Sequence, residues 1–210
     1  MRITRLKATI FTVLFCLAVI YTARFFIERT QRSSIVKVPL ARTKGDPKAQ
    51  VRITEYIDFQ CPACAKGAKL LKEYIARYPS QIYLEVKYFP LNRTHEHALE
   101  SAVYAECAAK QNKFWAFEEL LIEKQLQWDK LTHADGMFKE MAENAQLNLA
   151  KLEACVKNDS VKVAIFRDKS DGKSLGVDST PTYFVNGKMA VGINPLSVEL
   201  GKYFGEKSHQ

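Results

Sequence analysis

The sequence predicts an α/β fold interrupted by an all-helical insertion and preceded by a separate N-terminal apolar helix. A strand pattern runs directly into Cys61-Pro62-Ala63-Cys64 and then into a helix. From His95 to about Ser170 the chain is rich in Ala, Leu, Glu and Lys, with few helix breakers, and strand-type sequence then returns. With 210 residues, 47% of them hydrophobic, the chain suits one domain plus an insertion, or two small domains, and excludes wholesale disorder.

Charge is distributed unevenly along the chain. The formal net charge is +8, a surplus that would suit a nucleic-acid partner. Residues 1–50 contain ten Lys and Arg against two acidic residues, whereas residues 51–210 contain 21 of each kind. The surplus therefore belongs to the N-terminal tail, and the neutral remainder lacks the basic surface that neutralises phosphates. We expect no nucleic-acid partner.

The N-terminus has the pattern of a secretion signal or a signal anchor. Basic residues precede the apolar stretch 8–27, which approaches the roughly 20 residues that span a bilayer if Arg24 snorkels. Cleavage requires small residues, and bulky Tyr21 occupies a position that should be small. An uncleaved transmembrane anchor over residues 1–32 is therefore favoured over a cleaved signal, and a buried N-terminal helix is disfavoured. Residues 33–50, with two prolines and little hydrophobic pattern, are predicted to form a linker.

The first strand of the folded part carries an acidic residue on its apolar face. Val51 to Phe59 alternates like a strand, and Glu55 falls in register with the apolar positions. Burial disfavours a charged carboxylate. Glu55 is therefore either a structural acid, on a two-sided strand or in a salt bridge, or a buried acid whose proton takes part in the chemistry.

Two cysteines lie where this strand meets a helix. Apolar residues recur at helical spacing as far as Pro79, which places Cys61 at the helix N-terminus with Pro62 in the first turn. Unpaired amides and the helix dipole stabilise a thiolate there, so we expect Cys61 to be the nucleophile and its pKa to be lowered. Cys64 shares its helix face and is able to close a disulfide with it. A zinc site is disfavoured because the other cysteines offer no second ligand pair.

Later segments complete the predicted secondary structure. Ile82 to Pro90 is rich in β-branched and aromatic residues and predicts a strand. Tyr183 to Val191 predicts a hairpin that turns at Asn186-Gly187, and a closing helix begins near Pro195. Within the insertion, the aromatic residues at 114, 115 and 117 are assigned to the core, and the charge-rich stretch 118–130 to a solvated helix face.

Several motifs together resemble the DsbA-type thiol–disulfide oxidoreductases of the thioredoxin superfamily. Residues 45–64, GDPKAQVRITEYIDFQCPAC, resemble the entry to that family's active site. Residues 176–187, GVDSTPTYFVNG, resemble its cis-proline loop and following strand. Between them, HEHA at 95–98 and AECAAKQNKFW at 105–115 are similar to its helical insertion. The likeness extends over roughly residues 45–205.

The resemblance implies a layout for the folded part. A thioredoxin-like unit, residues 51–93 and 175–207, would be interrupted by a helical domain over residues 94–174. Pro181 would be a cis proline, with Thr180 before it, although an X–Pro bond is cis in only about 5–6% of cases. Its role would be to hold backbone beside the nucleophile so that an extended substrate pairs there as an added strand.

The resemblance also assigns roles to individual side chains. Glu55 and Lys87 would form a buried acid–lysine pair near the disulfide. Pro62 and Ala63, with the cis-proline loop, would contact substrate. Two departures leave the oxidising strength open. The most strongly oxidising members have Pro-His between the cysteines where this chain has Pro-Ala, and Thr180 is more common before the cis proline in isomerase-like relatives.

The remaining cysteines and histidines have two interpretations each. Leftover cysteines of an exported protein most often pair, and some members of the resembled family have a second disulfide in the insertion. We therefore expect a structural disulfide between Cys107 and Cys155 rather than two small buried hydrophobic residues. Cys16 is interpreted as a membrane-embedded thiol. His95 and His97 lie near a helix start and are interpreted as solvated or capping groups rather than metal ligands.

These observations predict an extracytoplasmic protein thiol–disulfide oxidoreductase, most simply a dithiol oxidase that introduces disulfides into reduced exported proteins. We expect no cofactor and no metal. The resemblance implies reoxidation by a quinone-linked membrane partner. A reductase or isomerase of the same fold is the alternative, and a metal-handling or chaperone module is less favoured. The short linker leaves no room for a dimerisation domain, which favours a monomer. The expected location is the cytoplasmic (inner) membrane, with a single-pass anchor and the catalytic domain in the periplasm or extracytoplasmic space.

Overall fold

The computed structural model describes residues 14–22, 24 and 39–205. The chain divides into two compact units, Met1–Lys37 and Val38–Gln210. In the first unit, residues 14–22 and 24 are helical and their side chains are exposed. No helix within the described residues is long and apolar enough to cross a membrane. Most of the predicted anchor over residues 1–32 lies outside the described residues.

A mixed five-stranded sheet forms the centre of the second unit. Its strands are β1 (Thr43–Gly45), β2 (Val51–Ile57), β3 (Ile82–Tyr88), β4 (Thr182–Val185) and β5 (Lys188–Val191). They lie in the order β1-β3-β2-β4-β5, with β2 and β3 parallel and the other neighbouring pairs antiparallel. Strand β2 is therefore central, and this explains why both of its faces carry buried side chains.

Eight α-helices within residues 39–205 surround and extend this sheet. Two belong to the thioredoxin-like unit, α1 (Pro62–Arg77) and α8 (Ile193–Phe204). The insertion contains α2 (Ala98–Ala109), α3 (Phe114–Glu123), α4 (Gln125–Trp128), α5 (Asp135–Asn144), α6 (Leu149–Val156) and α7 (Ser160–Ser174). The thioredoxin-like layout with a helical insertion is thus confirmed.

Helices cover both faces of the sheet, and glycines permit the closest approaches. On the face that carries Glu55, a Cβ at Gly67 of α1 would lie 1.9 Å from the hydroxyl of Tyr183. On the opposite face, a Cβ at Gly172 of α7 would lie 2.7 Å from the ring of Tyr56. Helix α1 therefore packs on the Glu55 face and α7 on the other face.

The linker prediction is wrong for residues 40–50. Leu40–Arg42 forms a 3-10 helix, and β1 then pairs antiparallel with β3. The Arg42 side chain is 1% exposed, lies 2.6 Å from Asp168 and donates to the carbonyl of Val86 at 2.9 Å. A buried ion pair and the backbone hydrogen bonds of an edge strand hold this segment in the fold. Neither of these requires a regular pattern of hydrophobic residues, so no sequence pattern indicated that the segment is part of the fold.

Two local features agree with the sequence. Asn186 and Gly187 have φ values of 49° and 84°, as required by the two-residue hairpin turn between β4 and β5. In the insertion, a disulfide joins Cys107 on α2 to Cys155 on α6, with their Cα atoms 5.8 Å apart. The two linked cysteines are 48 residues apart in sequence.

Candidate active site

Helix α1 presents the two cysteines of the Cys-x-x-Cys motif differently. Cys61 is the N-cap residue, and Pro62 is the first helical residue, where its missing amide hydrogen leaves no bond unmade. Cys61 is 8% exposed, whereas Cys64, one turn further along, is completely buried. Both are free thiols in this structure. An incoming thiol therefore reaches Cys61 and not Cys64.

The pKa of Cys61 is lowered to about 5. The main cause is the hydrogen bond with the thiol of Cys64, and the backbone amides of Cys64 and Ala63 and the Thr180 side chain add to it. Partial burial opposes the shift without overcoming it. Cys61 is therefore a thiolate at neutral pH, which makes it both a nucleophile and a good leaving group.

Cys64 has the opposite electrostatic environment. Burial raises its pKa well above the ordinary value of 9.0, and the hydrogen bond to Cys61 and the charges of Cys61 and Glu55 raise it further. The backbone of Asp58 offsets only part of this increase. Reduction of the pair thus ends with one thiolate and one thiol, and the thiol is Cys64.

The loop before β4 lies against the nucleophile. The Thr180–Pro181 peptide bond is cis. The Cys61 sulfur lies 3.5 Å from the carbonyl oxygen of Thr180, and the amide of Gly192 binds the carbonyl of Pro181 at 2.9 Å. The backbone of Thr180 and Pro181 therefore lies beside the reactive sulfur. The two residues that follow Cys61 in the chain are accessible, with Pro62 exposed and Ala63 half-buried. These are the four positions assigned to substrate contact from the sequence.

Glu55 is buried on the face of the sheet that α1 covers. It is 2% exposed and lies directly across from Tyr183 of β4. Burial raises its pKa to about 8, the charge of Glu118 raises it further, and the nearby Tyr183 hydroxyl lowers it in part. The carboxyl group is therefore mostly protonated at neutral pH, and its ionisation raises the pKa of Cys64.

The structure does not bring Glu55 and Lys87 together, and the predicted pair is wrong. Glu55 is in register with Val86, and Lys87 with Tyr56, so the two charged side chains leave opposite faces of the sheet. Lys87 instead forms a buried ion pair with Asp171 of α7. The resemblance placed the lysine on β3, the strand next to Glu55. Side chains alternate between the two faces along a strand, so a shift of one residue puts the lysine on the opposite face of the sheet.

Two buried glutamines that sequence reasoning missed connect the active-site loop to the insertion. The amide of Gln125 donates to the carbonyls of Phe59 at 2.6 Å and Cys61 at 3.1 Å. Gln60 donates to the carbonyl of Asp129 at 2.7 Å and accepts from the amide of His97 at 2.6 Å. The solvated face predicted for residues 118–130 is therefore incorrect at Gln125, which is 4% exposed. A lone glutamine in a charged stretch gives no signal of such a role.

The two histidines near α2 also support this loop. His95 Nδ1 lies 2.8 Å from the carboxylate of Asp58, which in turn accepts hydrogen bonds from the amides of Gln60 and Leu91. His97 Nε2 lies 2.6 Å from the carbonyl of Leu131. Both rings are thus engaged with protein groups next to the cysteines.

The fold and the site define a thioredoxin-fold thiol–disulfide oxidoreductase. The cysteine pair at a helix N-terminus, the asymmetry of the two pKa values and the backbone loop beside Cys61 are what thiol–disulfide exchange requires. A family model described as thioredoxin matches residues 37–199. The chain belongs to the thioredoxin family.

Solved structures share the fold at low sequence identity. The chain is similar to α-DsbA1 of Wolbachia pipientis, with a TM-score of 0.68 and 21% identity over 83% of this chain and 92% of that one. It is also similar to oxidised BdbD of Bacillus subtilis, with a TM-score of 0.67 and 19% identity over 78% of this chain and 89% of that one.

A curated relative contains a similar segment within a longer protein. The Na(+)/H(+) antiporter NhaA 3 of Salinispora tropica is 32% identical over 156 residues, which are 74% of this chain and 23% of that protein. The chain thus spans about a quarter of the relative's length.

Proposed function

We propose that this protein oxidises the dithiols of reduced exported proteins. The observation that carries the proposal is the asymmetry of the pair: an accessible cysteine whose thiolate is stabilised and a buried one whose thiol is stabilised. The stabilised Cys61 thiolate stabilises the reduced form, and a stabilised reduced form makes the disulfide an oxidant. The raised pKa of Cys64 keeps the second sulfur of the reduced pair protonated.

The reaction follows from which sulfur is accessible. A substrate thiolate attacks Cys61 of the disulfide, the Cys61–Cys64 bond breaks, and Cys64 leaves with a proton. The second substrate thiolate then attacks the substrate sulfur of the mixed disulfide and displaces Cys61 as a thiolate. Two electrons pass from the substrate to the cysteine pair. One of the two substrate protons remains on Cys64, and the other enters solvent.

Glu55 is proposed as the proton donor to Cys64 in this step. It is mostly protonated at neutral pH, and once it has lost its proton its negative charge raises the pKa of Cys64, which favours the protonated thiol. The cis-proline loop is proposed to align the substrate, because the backbone at Thr180 and Pro181 lies beside the reactive sulfur. Lys87 is outside this mechanism because its ammonium group is paired with Asp171 on the other face of the sheet.

The location and the partners belong to the same proposal. The apolar N-terminal stretch supports a membrane anchor with the catalytic unit on the extracytoplasmic side, where disulfides persist. Turnover requires an oxidant for the reduced pair, and we propose a quinone-linked membrane protein for this role. The named structural neighbours α-DsbA1 and BdbD are consistent in kind with such exchange.

The reduction potential of the cysteine pair tests the direction of the reaction. A nucleophile pKa of about 5 lies between the values of about 7 in thioredoxin and about 3.5 in DsbA. At pH 7, the difference between a nucleophile pKa of about 7 and one of about 5 stabilises the reduced form by slightly less than two tenfold steps. Each tenfold step is 1.4 kcal/mol, or about 30 mV, so the reduction potential should lie about 50 mV above the thioredoxin value of about −270 mV. We therefore expect equilibration of the full chain with glutathione to give roughly −220 mV or higher. A value at or below about −270 mV would make the protein a reductase and would overturn the proposed direction.

A separate measurement tests the chemistry itself. The rate of iodoacetamide alkylation of the reduced protein should rise with pH to a plateau with a midpoint near 5, and the modification should occur at Cys61. Cys61→Ser should abolish disulfide transfer to a reduced peptide dithiol. Transfer that persists in Cys61→Ser would exclude the cysteine pair as the reacting group.

A further inference from the structure

A cavity of about 340 Å³ connects the buried Glu55 to the surface. It lies between α1 and α3, above the part of the sheet formed by β1, β2 and β3. Its apolar walls include Ala68, Leu71 and Ile75 of α1, and its acidic lining includes Glu118 of α3. The spacing of the α1 residues places them on one face of that helix. Glu55 and Glu118 are thus two carboxyl groups in the same cavity.

One carboxyl oxygen of Glu55 depends on water in this cavity for a hydrogen bond. Its Oε1 atom is buried and has no hydrogen-bond partner among the described residues. A cavity of this volume, whose lining includes the carboxyl groups of Glu55, Glu118, Glu119 and Glu123, is large and polar enough for several water molecules. The cavity therefore offers protons a path between solvent and Glu55.

Glu118 has the properties of a proton carrier at the cavity. It is half-buried, and burial raises its pKa to about 7 despite the opposing charges of Lys44 and Lys72. The charged or titratable groups that face the two acids come from every packed element: Lys44 on β1, Tyr183 on β4, Cys64, Lys69 and Lys72 on α1, and Glu119 and Glu123 on α3. An acid whose pKa is near the working pH both gives up and accepts protons readily.

The chemistry of the site demands such a carrier. Cys64 is a poor leaving group as a thiolate because its pKa is strongly raised, so it must be protonated as the disulfide opens. Each reduction of the disulfide removes one proton from Glu55. The carboxyl group must regain that proton before the next cycle, and it is only 2% exposed.

We propose that Glu118 relays protons between solvent and Glu55 through this cavity. This inference rests on the proposed function, in which Glu55 protonates Cys64. In one cycle Glu55 gives a proton to Cys64, Glu118 restores it through cavity water, and solvent reprotonates Glu118. Glu118 acts through Glu55 and touches neither cysteine nor substrate.

Single-turnover reduction of the oxidised protein by dithiothreitol tests the relay. The rate is followed by the ultraviolet absorbance of the Cys61 thiolate, from pH 6 to 9, in dilute buffer. Glu118→Gln keeps the shape of the side chain but carries no exchangeable acid proton, and we expect it to slow the reaction about tenfold at pH 7. Glu118→Asp should retain most of the rate. Ala68→Leu, which fills the cavity without removing an acid, should also slow it.

Chemical rescue distinguishes a relay from a structural role. Glu118→Ala opens space for a small acid, so added imidazolium should restore its rate in proportion to concentration, with little effect on the native protein. Glu140→Ala is the control. Glu140 is an exposed glutamate of α5 that is paired with Lys124 and does not line the cavity. Its replacement should change neither the rate nor the response to imidazolium.

The outcomes separate the relay from the function on which it rests. If Glu118→Gln and Ala68→Leu reduce at the native rate while Glu55→Gln is slow, the relay is wrong and Glu55 keeps its role. If Glu55→Gln is also unchanged, neither acid supplies the proton. A slow Glu118→Ala that imidazolium does not restore, in a protein with a native circular dichroism spectrum, would also overturn the relay.

Discussion

The pH dependence of stability in Glu55→Gln follows from the burial of one carboxyl group. In the folded protein the pKa of Glu55 rises from its ordinary value of 4.5 to about 8. The folded state therefore binds more protons than the unfolded state between these two values. Stability falls as pH rises through this interval, by about 1.4 kcal/mol for each pH unit. Below the lower value the carboxyl is protonated in both states, and the effect vanishes.

Glutamine carries no titrating proton, so the variant should lack this loss. Relative to the native protein, we expect Glu55→Gln to gain about 3 to 4 kcal/mol in the free energy of unfolding between pH 5 and pH 8. The gain is to be measured by urea unfolding of the oxidised proteins, in which the active-site cysteines do not titrate. Only the change with pH is predicted, because the amide's packing shifts the whole curve by a constant amount.

Glu119→Gln is the control for this experiment. Its carboxyl is half exposed, and its ion pair with Lys72 lowers its pKa. The sign is therefore opposite: the control variant should become slightly less stable, relative to the native protein, as pH rises through the ordinary value. A stability difference for Glu55→Gln that stays constant from pH 5 to pH 8 would show that the carboxyl is not held protonated, and the argument for its role as a proton donor would fail with it.

Three further perturbations follow from named contacts. Replacing Cys107 and Cys155 together by alanine removes the crosslink that closes a loop of 48 residues. The free energy of unfolding, measured with urea, should fall by about 4 kcal/mol in the chain-entropy model. An unchanged value would contradict the presence of the crosslink. Asp171→Asn leaves the buried ammonium of Lys87 without its ion-pair partner and should lower the unfolding free energy by about 3 to 5 kcal/mol, with part of the loss recovered when Lys87 is also changed to Met. Gly67→Ala places a methyl group 1.9 Å from a buried tyrosine hydroxyl and should cost about 1 to 3 kcal/mol, whereas Gly136→Ala, with nothing within 4 Å, should be tolerated.

The local sequence patterns predicted the elements that position the cysteines. Strand β2, the helix that starts at Pro62 and the hairpin at Asn186-Gly187 each have a periodicity or a turn signal that acts over a few residues. Glu55 stood out for the same reason, since an acid in the register of buried residues breaks a local pattern. These predictions required no knowledge of tertiary contacts.

Other features depended on contacts between distant residues and had no local signal. Lys87 pairs with Asp171 across 84 residues of sequence, and Gln125 reaches the carbonyl of Cys61 across 64. Glu118 belongs to a charge-rich helical stretch and is followed by the exposed Glu119, so no local pattern predicted its position at a cavity. Sequence reasoning found the cysteines, Glu55 and the proline loop, but it missed the supporting groups that the insertion contributes, Gln125, Glu118 and Asp171.

The buried contacts of Arg42 bear on how the protein unfolds. This arginine precedes the sheet, yet it binds Asp168 and lies 3.3 Å from Glu106, both in the insertion, and it also holds a carbonyl of β3. Releasing the helical insertion would break both of the contacts with its carboxylates and leave Arg42 at the sheet without these partners, at a cost of several kcal/mol. A partly unfolded state that keeps the sheet and releases the helices is therefore strongly disfavoured. The inserted domain and the thioredoxin-like unit should lose their structure together, in one cooperative transition.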